Sequence, residues 1–417
     1  MNRFLAIFLQ RFVQHGQLEV VTSSGISRVF GDGKGQSVAI NFSGRAAQMQ
    51  LLLSPPSALG ELFMDGHLVV VRGTIYDLLL IATRNLASQS RTRSQKLWSR
   101  FLKTLRPLQQ RNSERRAKRN VAHHYDLDAR LYDLMLDSDK QYSCAYFEHA
   151  GQTLDDAQLA KKRHIAAKLL IEPGHRVLDI GSGWGGLALY LAENCEADIT
   201  GVTLSDEQLQ IATQRAFEKD LVNIANFKLQ DYRTVQGQFD RIVSVGMFEH
   251  VGVGYYDTFF TKVADLLTDD RVMLLHFIGG YSGPGVTNPW MAKYIFPGGY
   301  APALSEVLPA IERAGLIVTD IEILRVHYAE TLKAWRERFM SQRDKAKEIY
   351  DERFCRMWEF YLAGCEAAFR NGDLVVFQIQ MAKQHDAVPM TRNYITEREA
   401  TLRTRETRVP HLRVAAE

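Results

Sequence analysis

The stretch that decides the fold is Val177-Leu178-Asp179-Ile180-Gly181-Ser182-Gly183-Trp184-Gly185-Gly186. It opens as a largely apolar run, which is typical of a parallel strand covered on both faces. Gly181 and Gly183 allow a ligand to approach the backbone where a Cβ atom would obstruct it. The helix that we expect from Leu187 onward offers free N–H groups to an anionic group. The pattern therefore predicts a nucleotide-binding turn at the carboxyl end of a first strand.

The glycine spacing is compatible with two kinds of nucleotide site. Gly181, Gly183 and Gly186 fit the dinucleotide fingerprint G-x-G-x-x-G/A, which is weak evidence when it stands alone. The turn has no lysine or arginine for a pyrophosphate, and the Asp179 carboxylate precedes it, where it can pair with an amine or a bound water. D-x-G-x-G-x-G is the S-adenosylmethionine loop of class I methyltransferases, and this stretch resembles it. A tight turn without a ligand remains the third alternative.

Composition and length exclude several classes of protein. The 417 residues suffice for two domains, or for one domain with large additions. A net charge of +3 does not favour a nucleic-acid-binding protein. The four cysteines form no C-x-x-C pair, so we predict no metal site, and such cysteine usage fits a reducing cytosol. The apolar run at residues 4–13 is too short to span a membrane and favours a surface amphipathic helix.

The chain divides into four parts. Residues 1–90 contain short strand-like runs between glycine turns and predict a small α+β domain. Residues 91–119 hold eleven lysines and arginines against one acid, which predicts either a solvated linker or a basic surface that docks on anionic lipid. Residues 120–384 form the main domain. A charged tail at 385–417 is expected to be partly disordered.

Strands and helices alternate in the main domain, which predicts an α/β fold with a parallel sheet and right-handed crossovers. After the first strand we expect strands at 198–202, 226–229, 239–245, 272–275, 317–323 and 374–381. Long helical stretches at 334–339 and 350–369 predict an inserted cap. The predicted fold class is a Rossmann-like class I methyltransferase sheet with this cap, preceded by the small N-terminal α+β domain.

Three strand ends bring polar or glycine residues to one edge of the predicted sheet. Gly181 and Gly183 end the first strand, Glu249 and His250 follow the fourth, and His276 follows the fifth. Ligands bind outside the carboxyl ends of the strands in such sheets. A single histidine at a strand end is more often structural, but three strand ends together predict a site.

The second and third strand ends contribute further candidates. A carboxylate often binds ribose hydroxyls after the second strand. Thr203 stands there instead, and Gln208, one helical turn on, is a candidate for the same contact. After the third strand, Asp231 and Tyr232 supply an acid and an aromatic ring that can hold an adenine.

At these residues the chain resembles the cyclopropane-fatty-acyl-phospholipid synthase family, which includes the mycolic acid cyclopropane synthases. The matching motifs are His124-Tyr125-Asp126, Tyr142-Ser143-Cys144-Ala145-Tyr146-Phe147, Leu178-Asp179-Ile180-Gly181-Ser182-Gly183-Trp184-Gly185, Thr203-Leu204-Ser205, Phe248-Glu249-His250, Leu275-His276, Tyr294-Ile295-Phe296-Pro297-Gly298-Gly299 and His327-Tyr328. The first ninety residues resemble the extra N-terminal lipid-binding domain of the bacterial phospholipid enzymes. The resemblance therefore implies an intact phospholipid as substrate.

The resemblance implies transfer of a methylene unit from S-adenosylmethionine to the cis double bond of a membrane acyl chain, with bicarbonate as the base. Motif matching assigns the bicarbonate ligands to the backbone of Cys144 and Ile278 and to the side chains of Glu249, His276 and Tyr328. Glu249 can contact an anion only through a shared proton or as a protonated carboxyl group. Aromatic rings can stabilise the carbocation; the candidates are Tyr146, Phe147, Tyr294, Phe296 and Tyr328. Cys365 matches a cysteine sometimes proposed as catalytic, but nothing near it in sequence lowers its pKa, which favours a buried structural thiol.

The same resemblance, with the strand-end pattern, assigns the cofactor contacts. They are Tyr142, Ser143, Asp179, Gly181, Ser182, Gly183, Thr203, Leu204, Ser205, Gln208, Asp231 and Tyr232. Asp231-Tyr232 departs from the Gly-Trp often found in the mycobacterial relatives, which weakens the adenine assignment.

The expected partners are membrane phospholipids with unsaturated acyl chains, met by a cytoplasmic protein at the inner face of the cell membrane; monomer and homodimer both stay open. Three alternatives remain. They are a methyltransferase giving a methyl- or methylene-branched chain, a soluble small-molecule methyltransferase, and a membrane-binding protein with an inactive fold.

Overall fold

A computed structural model describes residues 1–21, 27–88 and 128–407. The basic segment 91–119 and the motif His124-Tyr125-Asp126 lie outside these residues. The N-terminal unit consists of α1 (Arg3–Phe12), β1 (Gln17–Val21), β2 (Ser27–Gly31), β3 (Ser37–Phe42), α2 (Arg45–Leu53), α3 (Pro55–Met64), β4 (Leu68–Arg72) and α4 (Ile75–Ser88). Its four strands form a mixed sheet in the order β2-β1-β3-β4. This is the predicted small α+β unit.

Among the described residues, the main unit begins with two helices, after which helices and strands alternate as far as its fifth strand, except that no α-helix separates β7 from β8. These elements are α5 (Ala129–Asp133), α6 (Leu154–Lys168), β5 (Arg176–Ile180), α7 (Gly186–Cys195), β6 (Asp198–Thr203), α8 (Asp206–Glu218), β7 (Ala225–Leu229), β8 (Phe239–Val245), α9 (Tyr256–Leu266) and β9 (Leu267–Gly280). The chain continues with α10 (Pro289–Tyr294), α11 (Leu304–Arg313), β10 (Ile317–Leu324), α12 (His327–Ser341), α13 (Arg343–Ile349), α14 (Glu352–Asn371), β11 (Leu374–Ala382) and α15 (Asn393–Glu406).

The seven strands form one sheet in the order β10-β11-β9-β8-β5-β6-β7. Strand β11 runs antiparallel to both of its neighbours, whereas the pairs from β9 to β7 are parallel. The predicted class I methyltransferase sheet is thereby confirmed. The chain leaves β5 toward β6 on one side and returns to β8 on the other, so a crevice opens at the carboxyl ends of β5 and β8. Apolar cores cover both faces of the sheet, with α9 and α11 on one and α6 and α7 on the other.

The helical cap is also the surface on which the N-terminal unit packs. Helices α12 and α14 share one continuous apolar core with α1, α3 and α4. The fit is close at Gly60 of α3, where an added Cβ atom would lie 2.4 Å from Nε1 of Trp290. Ion pairs join Lys293 to Glu61 and Arg353 to Asp65, each at 2.7 Å. Composition predicts separate units, but the N-terminal unit and the helical cap share one apolar core.

The C-terminal tail, which is expected to be partly disordered, contains the helix α15 at residues 393–406. Glu406 is buried at its end, where it accepts hydrogen bonds from Arg163 Nη2 at 3.0 Å and from the Tyr190 hydroxyl at 2.6 Å. A paired buried carboxylate can hold a helix that has little apolar surface of its own. The residues after 407 lie outside the described part of the chain.

Candidate active site

The glycine turn after β5 forms the floor of a cavity. Gly181, Gly183 and Gly185 have φ values of +84°, +54° and +82°, a region that side chains with a Cβ atom rarely adopt. An added Cβ at Gly181 would lie 2.9 Å from Met247, whereas one at Gly183 would meet no protein atom within 4 Å. Gly183 therefore faces the space that a ligand would fill. Arg215 Nη1 holds the turn from behind with a hydrogen bond of 2.7 Å to the Trp184 carbonyl.

Eleven of the twelve predicted cofactor contacts line this cavity. They are Tyr142, Ser143, Asp179, Gly181, Ser182, Gly183, Thr203, Leu204, Gln208, Asp231 and Tyr232. Ser205 does not line it; its hydroxyl caps α8 by accepting a hydrogen bond from the Gln208 backbone N–H. His250 also lines the cavity. Burial lowers the pKa of His250 to about 4, which keeps the imidazole neutral.

The ribose and adenine candidates are held by local hydrogen bonds. Thr203 Oγ1 donates to Gln208 Oε1 at 2.8 Å, so the two side chains form one polar unit at the end of β6. The Asp231 carboxylate accepts from Arg233 at 2.8 and 2.7 Å. The Tyr232 ring packs edge-on against Phe259 with centroids 5.2 Å apart. These contacts fix the side chains before any ligand enters.

Asp179 lines the cavity, and the buried Lys161 of α6 acts on it electrostatically. Burial raises the pKa of Asp179 to about 7, and Lys161 opposes this rise. Lys161 is itself fully buried, and burial lowers its pKa to about 8. Its ammonium donates to the side-chain oxygens of Gln141 and, at 2.8 Å, Ser143. The wall formed by residues 141–143 is therefore tied to α6.

Glu249 and Ile278 make the most direct contact between residues predicted to be catalytic. The Ile278 backbone N–H donates to Glu249 Oε1 at 2.6 Å. Glu249 Oε2 is buried and has no hydrogen-bond partner within the described part of the chain. Burial raises the pKa of this carboxyl group to about 7. A buried polar atom without a partner is costly, so this oxygen is a position where a polar ligand would stabilise the protein.

His276 lies on β9, two residues before Ile278, and is buried. Burial, together with the positive charges of Lys161 and Lys168, lowers the pKa of His276 to about 3. The imidazole is therefore neutral and carries a single proton. Within the described residues, no group of three or more histidine, cysteine, aspartate or glutamate side chains could hold a metal ion.

Helix α12, which carries Tyr328, contacts the segment beside Cys144. Thr331 of that helix accepts a hydrogen bond of 3.0 Å from the Ala145 N–H, next to Cys144. Tyr328 lies one turn earlier and contacts Trp335 edge-on at 5.8 Å. Burial raises the pKa of the Cys144 thiol strongly, so this sulfur is not a thiolate. The positive charge of Lys161 opposes the rise of the Cys144 pKa and adds to the fall of the His276 pKa.

Cys365 lies apart from these residues on α14. It is within electrostatic range of Tyr361, whose hydroxyl forms a 2.7 Å hydrogen bond with that of Tyr142. Burial raises the pKa of the Cys365 thiol to about 12. A protonated thiol is a poor nucleophile, so the geometry favours the structural interpretation of this cysteine.

The aromatic candidates are divided between different surroundings. The Tyr146 ring is stacked between His164 and His327, with centroids 4.2 and 5.1 Å away. Tyr294 donates a hydrogen bond of 3.1 Å to Glu61 of the N-terminal unit. Phe296 is near the site, 6.0 Å from the cavity residue His250. Phe147 is tilted against His327 at 6.4 Å. Of these four rings, Phe296 is the one with a contact to a cavity residue.

Sequence reasoning missed the contribution of α6. Gln158 Nε2 donates to the carbonyl groups of Gln141 at 3.2 Å and Ser143 at 3.0 Å, beside the contacts of Lys161. The sequence of α6 is typical of a charged surface helix, yet its positively charged residues are buried. The sequence signal for the burial of α6 is the run of four basic residues, Lys161-Lys162-Arg163-His164, next to isoleucine and alanine.

Comparison with known proteins now decides the family. The family model described as mycolic acid cyclopropane synthetase matches residues 112–379. The chain belongs to this family. Its fold is that of an S-adenosylmethionine-dependent methyltransferase, as in the solved structures of the mycolic acid cyclopropane synthases.

Two curated relatives of this cyclopropane synthetase family member are informative. Cyclopropane-fatty-acyl-phospholipid synthase of Escherichia coli (strain K12) is 44% identical over 260 residues, which cover 62% of this chain and 66% of the relative. The match thus spans just under two thirds of that relative's length. A probable fatty acid methyltransferase of Pseudomonas putida is 39% identical over 299 residues, covering 69% of this chain and 76% of the relative.

Two solved structures show the same fold in the family. The cyclopropane synthase MmaA2 from Mycobacterium tuberculosis is 33% identical with a TM-score of 0.61, covering 64% of this chain and 98% of that one. Mycolic acid cyclopropane synthase CmaA1, complexed with SAH and CTAB, is also 33% identical with a TM-score of 0.61, covering 63% and 97%.

Proposed function

We propose that the protein transfers a methylene unit from S-adenosylmethionine to the cis double bond of an unsaturated phospholipid acyl chain, forming a cyclopropane ring. The observation that carries this proposal is the buried Glu249 carboxyl group, whose sequence neighbour His250 lines the glycine-lined cavity. One of its oxygens is bound by the Ile278 N–H and the other is buried without a partner among the described residues. This arrangement suits a small anion held beside a methyl donor.

The cavity residues fit S-adenosylmethionine. No protein atom lies within 4 Å of a Cβ atom added at Gly183, so this side of the turn is open to a ligand. The Asp179 carboxylate is suited to the amino group of the donor, and the Thr203–Gln208 pair to its ribose hydroxyls. When bound, S-adenosylmethionine supplies an electrophilic methyl group. The protein orients this methyl group toward the alkene, which is a weak nucleophile, and excludes water from the alkene.

Glu249, Ile278, His276, Tyr328 and the Cys144 backbone are the proposed ligands of bicarbonate. When bound, bicarbonate supplies a base that takes a proton from the transferred methyl group, so that the ring closes. The raised pKa of Glu249 lets this carboxyl group share a proton with an anion instead of repelling it. The neutral His276 offers one ring N–H. The high pKa of the Cys144 thiol supports a backbone role for this residue.

A membrane substrate requires a docking surface, which we assign to the N-terminal unit together with the basic segment 91–119. No helix in the part of the chain that the structure describes is long and apolar enough to cross a membrane. On α1, Phe4 and Ile7 are 71% and 44% exposed and lie on one helix face. Arg3 and Arg11 flank them, which gives the helix the composition of an interfacial anchor. The proposed location is therefore the cytoplasmic face of the membrane.

The test is product analysis with purified full-length protein, S-adenosylmethionine and vesicles of an anionic unsaturated phospholipid. The acyl chains are analysed by fragmentation and hydrogenation, because ring and methylene products are isomers. A ring product supports the proposal. A methyl- or methylene-branched product would instead support the second candidate, which the similarity to the probable fatty acid methyltransferase favours. Folded protein that binds S-adenosylmethionine but modifies no lipid would contradict both.

A further inference from the structure

Three polar side chains form a straight row across the large sheet. Glu322 of β10 is in register with Gln378 of β11, and Gln378 is in register with His276 of β9. Side chains directly opposite one another in antiparallel strands project from the same face. Helix α6 covers this row and contributes Lys168 and His164 to it.

Hydrogen bonds connect these groups from one end of the row to the other. His164 Nε2 lies 2.7 Å from Glu322 Oε2, which also accepts a hydrogen bond from the Lys168 ammonium. Lys168 Nζ donates to Gln378 Oε1 at 2.9 Å. Gln378 Nε2 lies 3.2 Å from His276 Nδ1. Gln378 is fully buried, so water does not compete for its amide.

The lysine decides which way the Gln378 amide is turned. A lysine ammonium has donors only, so the amide atom facing Lys168 must be the carbonyl oxygen. The NH₂ group then faces His276, and an NH₂ group can only donate. Nδ1 of His276 must therefore be an acceptor without a proton. Because the ring is neutral and carries one proton, that proton is on Nε2.

We propose that Gln378, oriented by Lys168, is a positioning residue that holds His276 as the Nε2–H tautomer. The proposal rests on the proposed function, in which His276 donates to the bound anion. Nδ1 is engaged by Gln378, so Nε2 is the nitrogen left for the anion. The opposite tautomer would present a lone pair to that anion and repel it. The role of Gln378 is thus to select the tautomer of a residue that it touches, without meeting the substrate itself.

The direct test is nitrogen-15 NMR of the full-length protein labelled at histidine. Long-range proton–nitrogen correlations distinguish a protonated Nε2 from a protonated Nδ1, and a His276→Gln variant identifies the resonances of His276. We expect the wild type to show the Nε2–H pattern across neutral pH. A wild-type Nδ1–H pattern would overturn the proposal without the need for any Gln378 variant.

Two variants test the causal role of Gln378. In Gln378→Glu the new carboxylate would accept a hydrogen bond from a protonated Nδ1, and we expect the Nδ1–H or the doubly protonated pattern. In Gln378→Met the hydrogen bond from Gln378 to Nδ1 of His276 is removed, and we expect a mixture of tautomers. The kcat of lipid modification should fall about 100-fold in Gln378→Glu with the KM for S-adenosylmethionine unchanged, as for loss of a partner that orients a histidine. An unchanged Nε2–H pattern in both folded variants would overturn the proposal.

Gln380 provides the matched control. It is a buried glutamine on the same strand and face, two residues away, and its amide donates to the Lys168 carbonyl and to the Tyr394 hydroxyl. Gln380→Met should keep both the Nε2–H pattern of His276 and the wild-type kcat. Loss of the Nε2–H pattern in this control would contradict a specific role for Gln378. The NMR result does not depend on lipid turnover. If the proposed function is wrong but the proposal about Gln378 is right, His276 will show the Nε2–H pattern in a protein that modifies no lipid.

Discussion

Lys161 Nζ donates a hydrogen bond of 2.8 Å to the Ser143 hydroxyl, so a fully buried ammonium supports the wall of the cofactor cavity. A buried lysine is rare unless it is paired. Here its partners are side chains of residues 141–143, which line the cavity, and its charge also acts on the cavity residue Asp179. Helix α6 and the glycine turn therefore both position residues that line the cavity.

Lys161→Met should weaken S-adenosylmethionine binding about tenfold. A hydrogen bond to a charged group contributes about 1.5–3 kcal/mol, and about 1.4 kcal/mol corresponds to a factor of ten in affinity. Isothermal titration calorimetry measures the change. Lys219→Met is the control, because Lys219 forms a surface ion pair with Glu193. Equal affinities in the two variants would show that Lys161 does not position the cavity wall.

Gly183→Val should abolish S-adenosylmethionine binding, because the branched side chain would occupy the open space in front of Gly183. The positive φ of this residue also strains any substitution, so a control with the same strain is needed. Gly174→Val serves, because Gly174 has φ +79°, has no atom within 4 Å of an added Cβ and lies outside the cavity lining. Titration of the folded Gly183→Val protein with near-normal affinity would place the cofactor elsewhere.

The raised pKa of Glu249 predicts a pH-dependent stability. Burial raises its pKa from 4.5 to about 7, so the folded protein keeps a proton that the unfolded chain releases above pH 4.5. The free energy of unfolding should therefore fall as the pH rises from about 4.5 to about 7. For Glu249 the fall amounts to about 3 kcal/mol at most.

Urea unfolding of Glu249→Gln at several pH values isolates this contribution. The glutamine cannot ionise, so the variant should lose less stability than the wild type across the same window. Glu312→Gln, at an exposed position on α11, should follow the wild type. Parallel pH profiles of wild type and Glu249→Gln would show that Glu249 is ionised in the folded protein, which is inconsistent with its proposed contact to an anion.

The exposed face of α1 predicts membrane binding by the N-terminal unit. Replacement of Phe4 and Ile7 by serine should reduce co-sedimentation with anionic vesicles about tenfold or more, because each buried apolar side chain contributes about 1.5–3 kcal/mol. Affinity for S-adenosylmethionine should not change. Phe217→Ser is the control, since Phe217 is also 71% exposed but lies on α8 of the main unit. If both variants sediment like the wild type, α1 does not dock.

The sheet and the glycine turn could be predicted from the sequence because their signals are local. The apolar run before Gly181 and the alternation after it predict a parallel sheet and the positions of its strands without knowledge of distant contacts, whereas the order of the strands comes from the structure. Glu249 does follow β8 as predicted, but His276 lies within β9, which continues to Gly280, so the predicted strand end at residue 275 is too early. Eleven of the twelve cofactor candidates line the cavity; Tyr142 and Ser143 among them precede β5 and are assigned by the family resemblance, not by a strand end.

The buried charges could not be predicted because their partners are distant in the chain. Lys168 meets Glu322, and Arg163 meets Glu406, across 154 and 243 positions. A local pattern assigns such lysines and arginines to the surface, where they are usually found. Helix α15 was missed for the same reason, since His164 meets Glu399 of that helix at 2.6 Å. The fit of Trp290 against Gly60 likewise depends on packing between units.

The most direct measurement is lipid turnover by the wild type in bicarbonate-free buffer, followed by restoration of bicarbonate. If an anion held beside Glu249, whose Oε1 accepts the Ile278 N–H, takes the proton, turnover should fall sharply on depletion and return on addition, with the affinity for S-adenosylmethionine unchanged. Glu249→Gln and His276→Ala should reproduce the depleted state and gain little from added bicarbonate. Unchanged wild-type turnover without bicarbonate would contradict the bound-anion mechanism.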